Sequence, residues 1–126
     1  SMHNYLIIRL GNVYNSNFSK RGLIKNLMLH FTKGRKIVIN NSNEINNYVH
    51  INDFLLIFKK IIKKNPKQKK FNLSTEAYTN LELFNLFKAY FNKGIKVIDE
   101  KNTYNRKENK FNVYKPTFTI QKLLEI

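Results

Sequence analysis

With 126 residues, 42% of them hydrophobic and 13% aromatic, the chain is long and apolar enough for one globular domain, which excludes a disordered basic tail. It has no cysteine, excluding a disulfide scaffold and thiolate metal sites, and no apolar run long enough to cross a bilayer; the expectation is a cytoplasmic protein. The formal net charge of +15 favours polyanions, but only Arg9, Arg21, Arg35 and Arg106 are arginine, and lysine, asparagine and isoleucine are over-used together as A/T-rich codons produce.

Ser1-Met2 reads as a cleavage scar ahead of a single domain over residues 3–126. The first strand, Tyr5 to Leu10, is apolar on both faces apart from Arg9, the pattern of a parallel strand covered by helices on both sides. It delivers Asn12 into a polar turn at Asn15 to Ser19. A helix follows from about Arg21 to Lys33, with Leu23, Ile24, Leu27, Met28 and Phe31 at helical spacing and Gly34 as its stop. Two short strands, Lys36 to Ile39 and Glu44 to Ile51, are expected around the turn Asn40-Asn41-Ser42-Asn43, whose residues tolerate positive φ.

Asn52 or Asp53 is expected to cap the next helix, which runs to about Lys64. Phe54, Leu55, Phe58, Ile61 and Ile62 form its predicted buried face, with Lys59, Lys60, Lys63 and Lys64 opposite. Phe71 to Ser74 reads as a short strand able to return parallel to the first. Thr79-Asn80-Leu81-Glu82 is a capping box opening a helix to Asn92, stopped at Gly94. Ile95 to Ile98 reads as a further strand, Asp99 to Asn112 as a polar segment, and a short helix closes the chain from about Thr119. The order β-α-β-β-α-β-α-β defines a mixed α/β class.

The segments Arg9 to Tyr14 and Asn47 to Asp53 carry a resemblance. The chain resembles the C-terminal part of the NAD-dependent epimerase/dehydratase family, the extended short-chain dehydrogenases that act on nucleotide sugars, and is most similar to the UDP-galactose 4-epimerase group. The matching features are the strand ending at Asn12, the helical Lys25-Asn26-Leu27-Met28, the strand Ile37 to Ile39, Tyr48-Val49-His50-Ile51-Asn52-Asp53, and Phe71-Asn72-Leu73. No one of them is specific, but together they occur in the family's order and spacing.

The resemblance implies the C-terminal part of a Rossmann-like fold, with a mixed sheet and a small substrate-binding hairpin. It also implies that Asn12 and Asn26 hydrogen-bond the diphosphate or sugar of a UDP- or dTDP-sugar in a common cavity, with Leu27 and Ile39 near the base. Relatives commonly carry an arginine where this chain has Asn46, so a charge-assisted contact is replaced by an amide. Asn12 can equally satisfy backbone groups in a turn, Leu27 and Ile39 can be plain core, Asp53 a helix cap and Tyr48 packing.

The family's chemistry needs a glycine-rich turn for NAD and a tyrosine with lysine four residues on. The chain has four glycines, none at that spacing, and none of its seven tyrosines has lysine at that offset. His3, His30 and His50 lack metal-ligand spacing. The expectation is therefore a substrate-binding part, inactive and without NAD by itself, whose partner is an N-terminal dinucleotide-binding half. The first strand would then present an open edge suited to a homodimer. The competing expectation is a non-catalytic module that binds nucleic acid or another polyanion through surface lysines.

Overall fold

The computed structural model describes residues 5–18, 21–64, 67, 70–91 and 112–125. The chain passes to a second sheet just after the first apolar run. Ile7–Leu10 forms strand β1 and Asn12–Tyr14 forms β2, with the chain changing partners at Gly11. β1 lies parallel to β4 (Lys70–Ser74), Ile8 opposite Phe71 and Leu10 opposite Leu73, as expected of the returning segment. β2 lies parallel to β3 (Ile45–His50), with Asn12 opposite Tyr48 and Tyr14 opposite His50. The Gly11 N–H donates to the Leu73 carbonyl at 3.0 Å, and a Cβ at Gly11 would stand 2.8 Å from the carbonyl carbon and oxygen of Asn47. Only a residue without a side chain passes that backbone so closely.

Among the described residues two three-stranded sheets result. One is parallel throughout in the order β1-β4-β6, where β6 is Asn112–Val113. The other has the order β2-β3-β5, with β5 (Glu76–Thr79) antiparallel to β3. Helix α1 spans Gly22–Lys33 and ends at Gly34, whose φ of +69° lets its N–H turn back to the His30 carbonyl at 3.1 Å. Helix α2 is Ile51–Lys64.

Helix α3 (Asn80–Phe91) opens on the expected capping box: the Thr79 N–H donates to Glu82 Oε1 at 2.9 Å and the Glu82 N–H to Thr79 Oγ1 at 3.0 Å. The short α4 (Ile120–Leu124) is capped by Thr119, whose hydroxyl oxygen accepts the Lys122 N–H at 3.0 Å.

Two cores form. Ile24 and Leu27 of α1, Leu83 and Phe87 of α3 and Ile120 of α4 close over Tyr14 and Tyr48. Ile61, Phe54 and Ile57 of α2 close over Ile8, Val49 and Leu73. β3 serves both, because successive strand residues face opposite sides and send Tyr48 into one core and Val49 into the other. Each fully buried leucine or phenylalanine here contributes about 1.5–3 kcal/mol.

Several expectations are corrected. Residues 36–39 form no strand, so the anticipated hairpin is absent: Ile37 packs on the core while Val38 is 78% exposed, and β3 takes its partners from β2 and β5. Asn41 in that loop does adopt positive φ, at +51°. The cap of α2 is His50, not Asn52 or Asp53: its Nδ1 accepts the Asn52 N–H at 3.1 Å. Leu55 and Ile62 of α2 are exposed, because the helix meets its sheet along Phe54, Ile57 and Ile61. Expected coverage of the β1 sheet on both faces is met on one face only, by α2, among the described residues. The strand read at 95–98 lies outside the described residues.

Candidate functional site

A cavity of about 630 Å³ opens where β2, the turn after it, the start of α1 and β3 meet. That is a volume suited to a small organic ligand. Tyr14, Phe18, Leu23, Ile24, Tyr48 and Ile51 give it aromatic and aliphatic walls, and Asn12, Asn15 and Asn46 give it amides. Arg21 is the one cation among the described lining residues, and none of them is a carboxylate.

The local geometry follows from short-range chemistry. Asn12 and Tyr14 lie on the same face of β2, but only Tyr14 reaches under the helices, so Asn12 stays exposed while Tyr14 is buried. The Asn12 Nδ2 donates to the Asn47 carbonyl at 3.2 Å, tying β2 across to β3. The Asn46 Nδ2 donates to Asn80 Oδ1 at 2.7 Å, and the Asn80 Nδ2 donates on to the carbonyls of Asn40 and Asn41 at 3.2 and 3.1 Å. Asn46 thus links the cavity wall to the loop before β3. Phe18 is held in the left-handed region at φ +63°, a cost of about 1–2 kcal/mol for a residue with a side chain. Burial of its ring, 6.0 Å from Phe87 and 6.4 Å from Tyr14, offsets that strain.

Of the residues named from sequence, Asn12 and Asn46 share this cavity. Asn26 does not join them: it is exposed on α1, a full turn beyond Gly22 and Leu23, so the anticipated convergence of Asn12 and Asn26 does not occur. Leu27 is completely buried, three residues from Ile24 on the core side of α1, and offers no surface to a ligand. Ile39 lines a separate cavity with Asn41, Ser42, Asn43 and Glu44. The helix meets the cavity with its first turn, one turn earlier than the Asn26-Leu27 pair suggests. The available signal was the helix start itself, where unpaired backbone N–H groups point outward.

Beneath the cavity lies a buried polar network that binds the last described segment to the sheet. Tyr14 donates its hydroxyl to Glu76 Oε2. Tyr78 and the Ile120 N–H both donate to Glu76 Oε1, at 3.0 and 2.9 Å. Asp53 accepts the Thr117 N–H through both carboxylate oxygens and the Phe118 N–H through Oδ2, at 2.9–3.1 Å.

Burial pushes the Glu76 carboxyl above the ordinary carboxylate range, its hydrogen bonds opposing that shift only in part. Burial, followed by the Glu76 charge, drives the Tyr14 phenol far above the usual phenol range, and burial pushes Tyr48 up to about 12. Both tyrosines are therefore protonated at neutral pH, unlike an activated acid/base tyrosine.

His50 is 1% exposed, stacks on Phe118 at 4.3 Å and lies 3.2 Å from Ser16 Oγ through Nε2. Because Nδ1 accepts the Asn52 N–H, the proton of the neutral ring is on Nε2, which donates to Ser16. His50 in that tautomer takes no proton from Ser16, so the pair is not a nucleophile and its base. Among the described residues no group of three or more histidine, aspartate or glutamate side chains is placed to hold a metal ion.

No protein-family model and no curated protein matches the chain. Solved structures do, and they show the fold: it is that of the extended short-chain dehydrogenases, a Rossmann-like α/β fold. UDP-glucose 4-epimerase of Thermotoga maritima, solved with UDP-glucose, is 16% identical over 96% of this chain and 43% of its own, with a TM-score of 0.60. The Bordetella bronchiseptica enzyme WbmG, in complex with NAD, is 18% identical over 94% of this chain and 40% of its own, TM-score 0.60. dTDP-glucose 4,6-dehydratase of Bacillus anthracis, in complex with NAD, is 16% identical over 95% and 42%, TM-score 0.65.

The chain therefore spans about two-fifths of the length of each of these proteins. Among the described residues no glycine-rich turn joins a strand to a helix, and Gly11 is occupied in passing the Asn47 backbone. Among the described residues no helix is long and apolar enough to cross a membrane.

Proposed function

We propose that this chain is the nucleotide-sugar-binding part of an NAD-dependent epimerase or dehydratase, with residues 3–126 forming one unit that acts together with a separate dinucleotide-binding half. The observation that carries this reading is the cavity at β2, α1 and β3, in a fold shared with enzymes named for UDP-glucose and dTDP-glucose. Its aromatic and aliphatic walls suit a flat base, and its amides, which both donate and accept, suit sugar hydroxyls and phosphate oxygens. NAD belongs to the other half. The chain alone turns over no sugar, since it has neither the glycine-rich turn nor a tyrosine-lysine pair at the required offset.

The test is a calorimetric titration of the chain with UDP and with dTDP, at low and at physiological salt, paired with amide shifts of the labelled protein. The expected result is saturable binding that persists at physiological salt and moves the amides of Asn12, Gly22 and Tyr48. Heat that disappears with salt and is reproduced by any polyanion would instead make this a lysine-driven polyanion module. Absence of saturable binding by either nucleotide would remove the reading.

A further inference from the structure

Resting on the nucleotide-sugar reading, we infer that Asn80, outside the cavity, is a positioning residue. It fixes the Asn46 amide so that the cavity presents a carbonyl oxygen to a donor group of the ligand. The reason is hydrogen-bond direction, set first by backbone. Asn80 is 8% exposed, and its Nδ2 donates to the Asn40 and Asn41 carbonyls at 3.2 and 3.1 Å. Carbonyl oxygens only accept, so an Asn80 amide turned the other way would set Oδ1 against two acceptors. The same loop is held by the Asn80 N–H on the Glu44 carbonyl and the Leu81 N–H on the Ser42 carbonyl, both at 3.1 Å. Asn80 Oδ1 is therefore the acceptor facing Asn46, which brings its Nδ2 to it at 2.7 Å.

That commitment decides what Asn46 has left. Its amide cannot turn over without opposing its own oxygen to Asn80 Oδ1, so Asn46 Oδ1 is held away from Asn80. Asn46 lines the cavity and Asn80 does not, and among the described residues Asn46 Oδ1 has no protein partner. Ionised phosphate oxygens also only accept, and two acceptors face to face repel. A hydroxyl or a ring N–H meets Oδ1 as a donor. The β3 wall of the cavity thus takes a donor group of the nucleoside or of the sugar, and does not hold the diphosphate.

The experiment titrates UDP-glucose, UDP and uridine by calorimetry into the wild-type chain, Asn46→Leu, Asn80→Leu and Asn80→Asp. Asn80→Asp keeps an acceptor for Asn46 but loses the donor to Asn40 and Asn41, so it separates orientation from loop anchoring. The expected result is a loss of about five- to tenfold in affinity for both leucine variants, with Asn80→Asp near wild type. A loss confined to UDP-glucose puts the donor on the sugar; a loss common to all three probes puts it on the nucleoside. A loss for UDP and UDP-glucose that spares uridine means that the remaining Nδ2 hydrogen meets phosphate, and overturns the inference while leaving the nucleotide-sugar reading intact. Asn80→Leu binding as wild type, or Asn80→Asp falling as far as Asn80→Leu, overturns it in the same way. Independently of any variant, one side-chain amide proton of Asn46 in the labelled wild-type chain is expected to exchange slowly with solvent. Fast exchange of both overturns the inference. Wild type that binds none of the three probes overturns this inference and the nucleotide-sugar reading together.

Discussion

His50 shows how one side chain is given its state by what surrounds it. The Asn52 N–H occupies Nδ1, so protonating that nitrogen breaks the cap of α2. Burial accordingly holds His50 below its ordinary value of 6.5, with the nearby Asp53 carboxylate pulling more weakly the other way. Between the unfolded value and the lower folded one, the unfolded chain binds more protons. The stability tied to His50 is thus complete above about pH 6.5 and is lost as the pH falls through that window. Thermal melts from about pH 7.5 to about pH 5 are expected to show a falling Tm, and His50→Gln to flatten that slope while losing about 1 kcal/mol of cap at neutral pH. A His50→Gln chain with the wild-type slope would contradict this assignment. From sequence His50 was only one letter of a family motif. Asp53 read as the cap because a carboxylate near a helix start usually serves one, whereas in the fold it is 2% exposed and bonded to residues far along the chain.

At the scale of elements, the contrast is between local signals and partner choice. The capping box at Thr79 and the stop at Gly34 appeared as read, since both are decided by atoms within a few residues. β5 was missed, because Glu76-Ala77-Tyr78-Thr79 has no apolar pattern and is a strand only through its pairing with β3. Residues 36–39 had the pattern of a strand but form none in the fold.

The segment from Thr117 to Ile120 is held in the same non-local way, by Asp53 and Glu76 through backbone N–H groups. Asp53→Asn turns an acceptor oxygen into a donor against those N–H groups, and is expected to cost about 1–3 kcal/mol. Hydrogen exchange should then accelerate at Thr117 and Phe118 ahead of the amides of α1. Unaltered protection at Thr117 and Phe118 would show that Asp53 does not hold the segment.

At the scale of the whole molecule, the edge of the first sheet matters most. Among the described residues β1 stands at the end of its sheet, with Tyr5 57%, Ile7 42% and Leu10 36% exposed beside it or on it. An exposed apolar edge strand offers unpaired N–H and C=O groups to another chain. In the proposed parent the dinucleotide-binding half would meet this edge; without it, a second copy is the available partner. Light scattering is expected to show the mass rising toward a dimer with concentration, and Ile7→Lys to return the chain to monomer by placing charge on the strand. A wild-type chain that remains monomeric at high concentration would end the dimer proposal.

What the sequence by itself determined was a set of short-range commitments: the existence of the helices, the stop of α1 at Gly34 and the capping box that opens α3. Tertiary structure alone decided that the chain changes sheets at Gly11, right after the first run, and that Asn12 and Asn46 share a cavity, lined also by Arg21, without Asn26. The reason is physical. Helical periodicity, capping and turn chemistry act over three or four residues and are written into local order. Sheet partners and cavity walls are chosen by backbone groups and side chains dozens of positions apart, which compete until packing settles them.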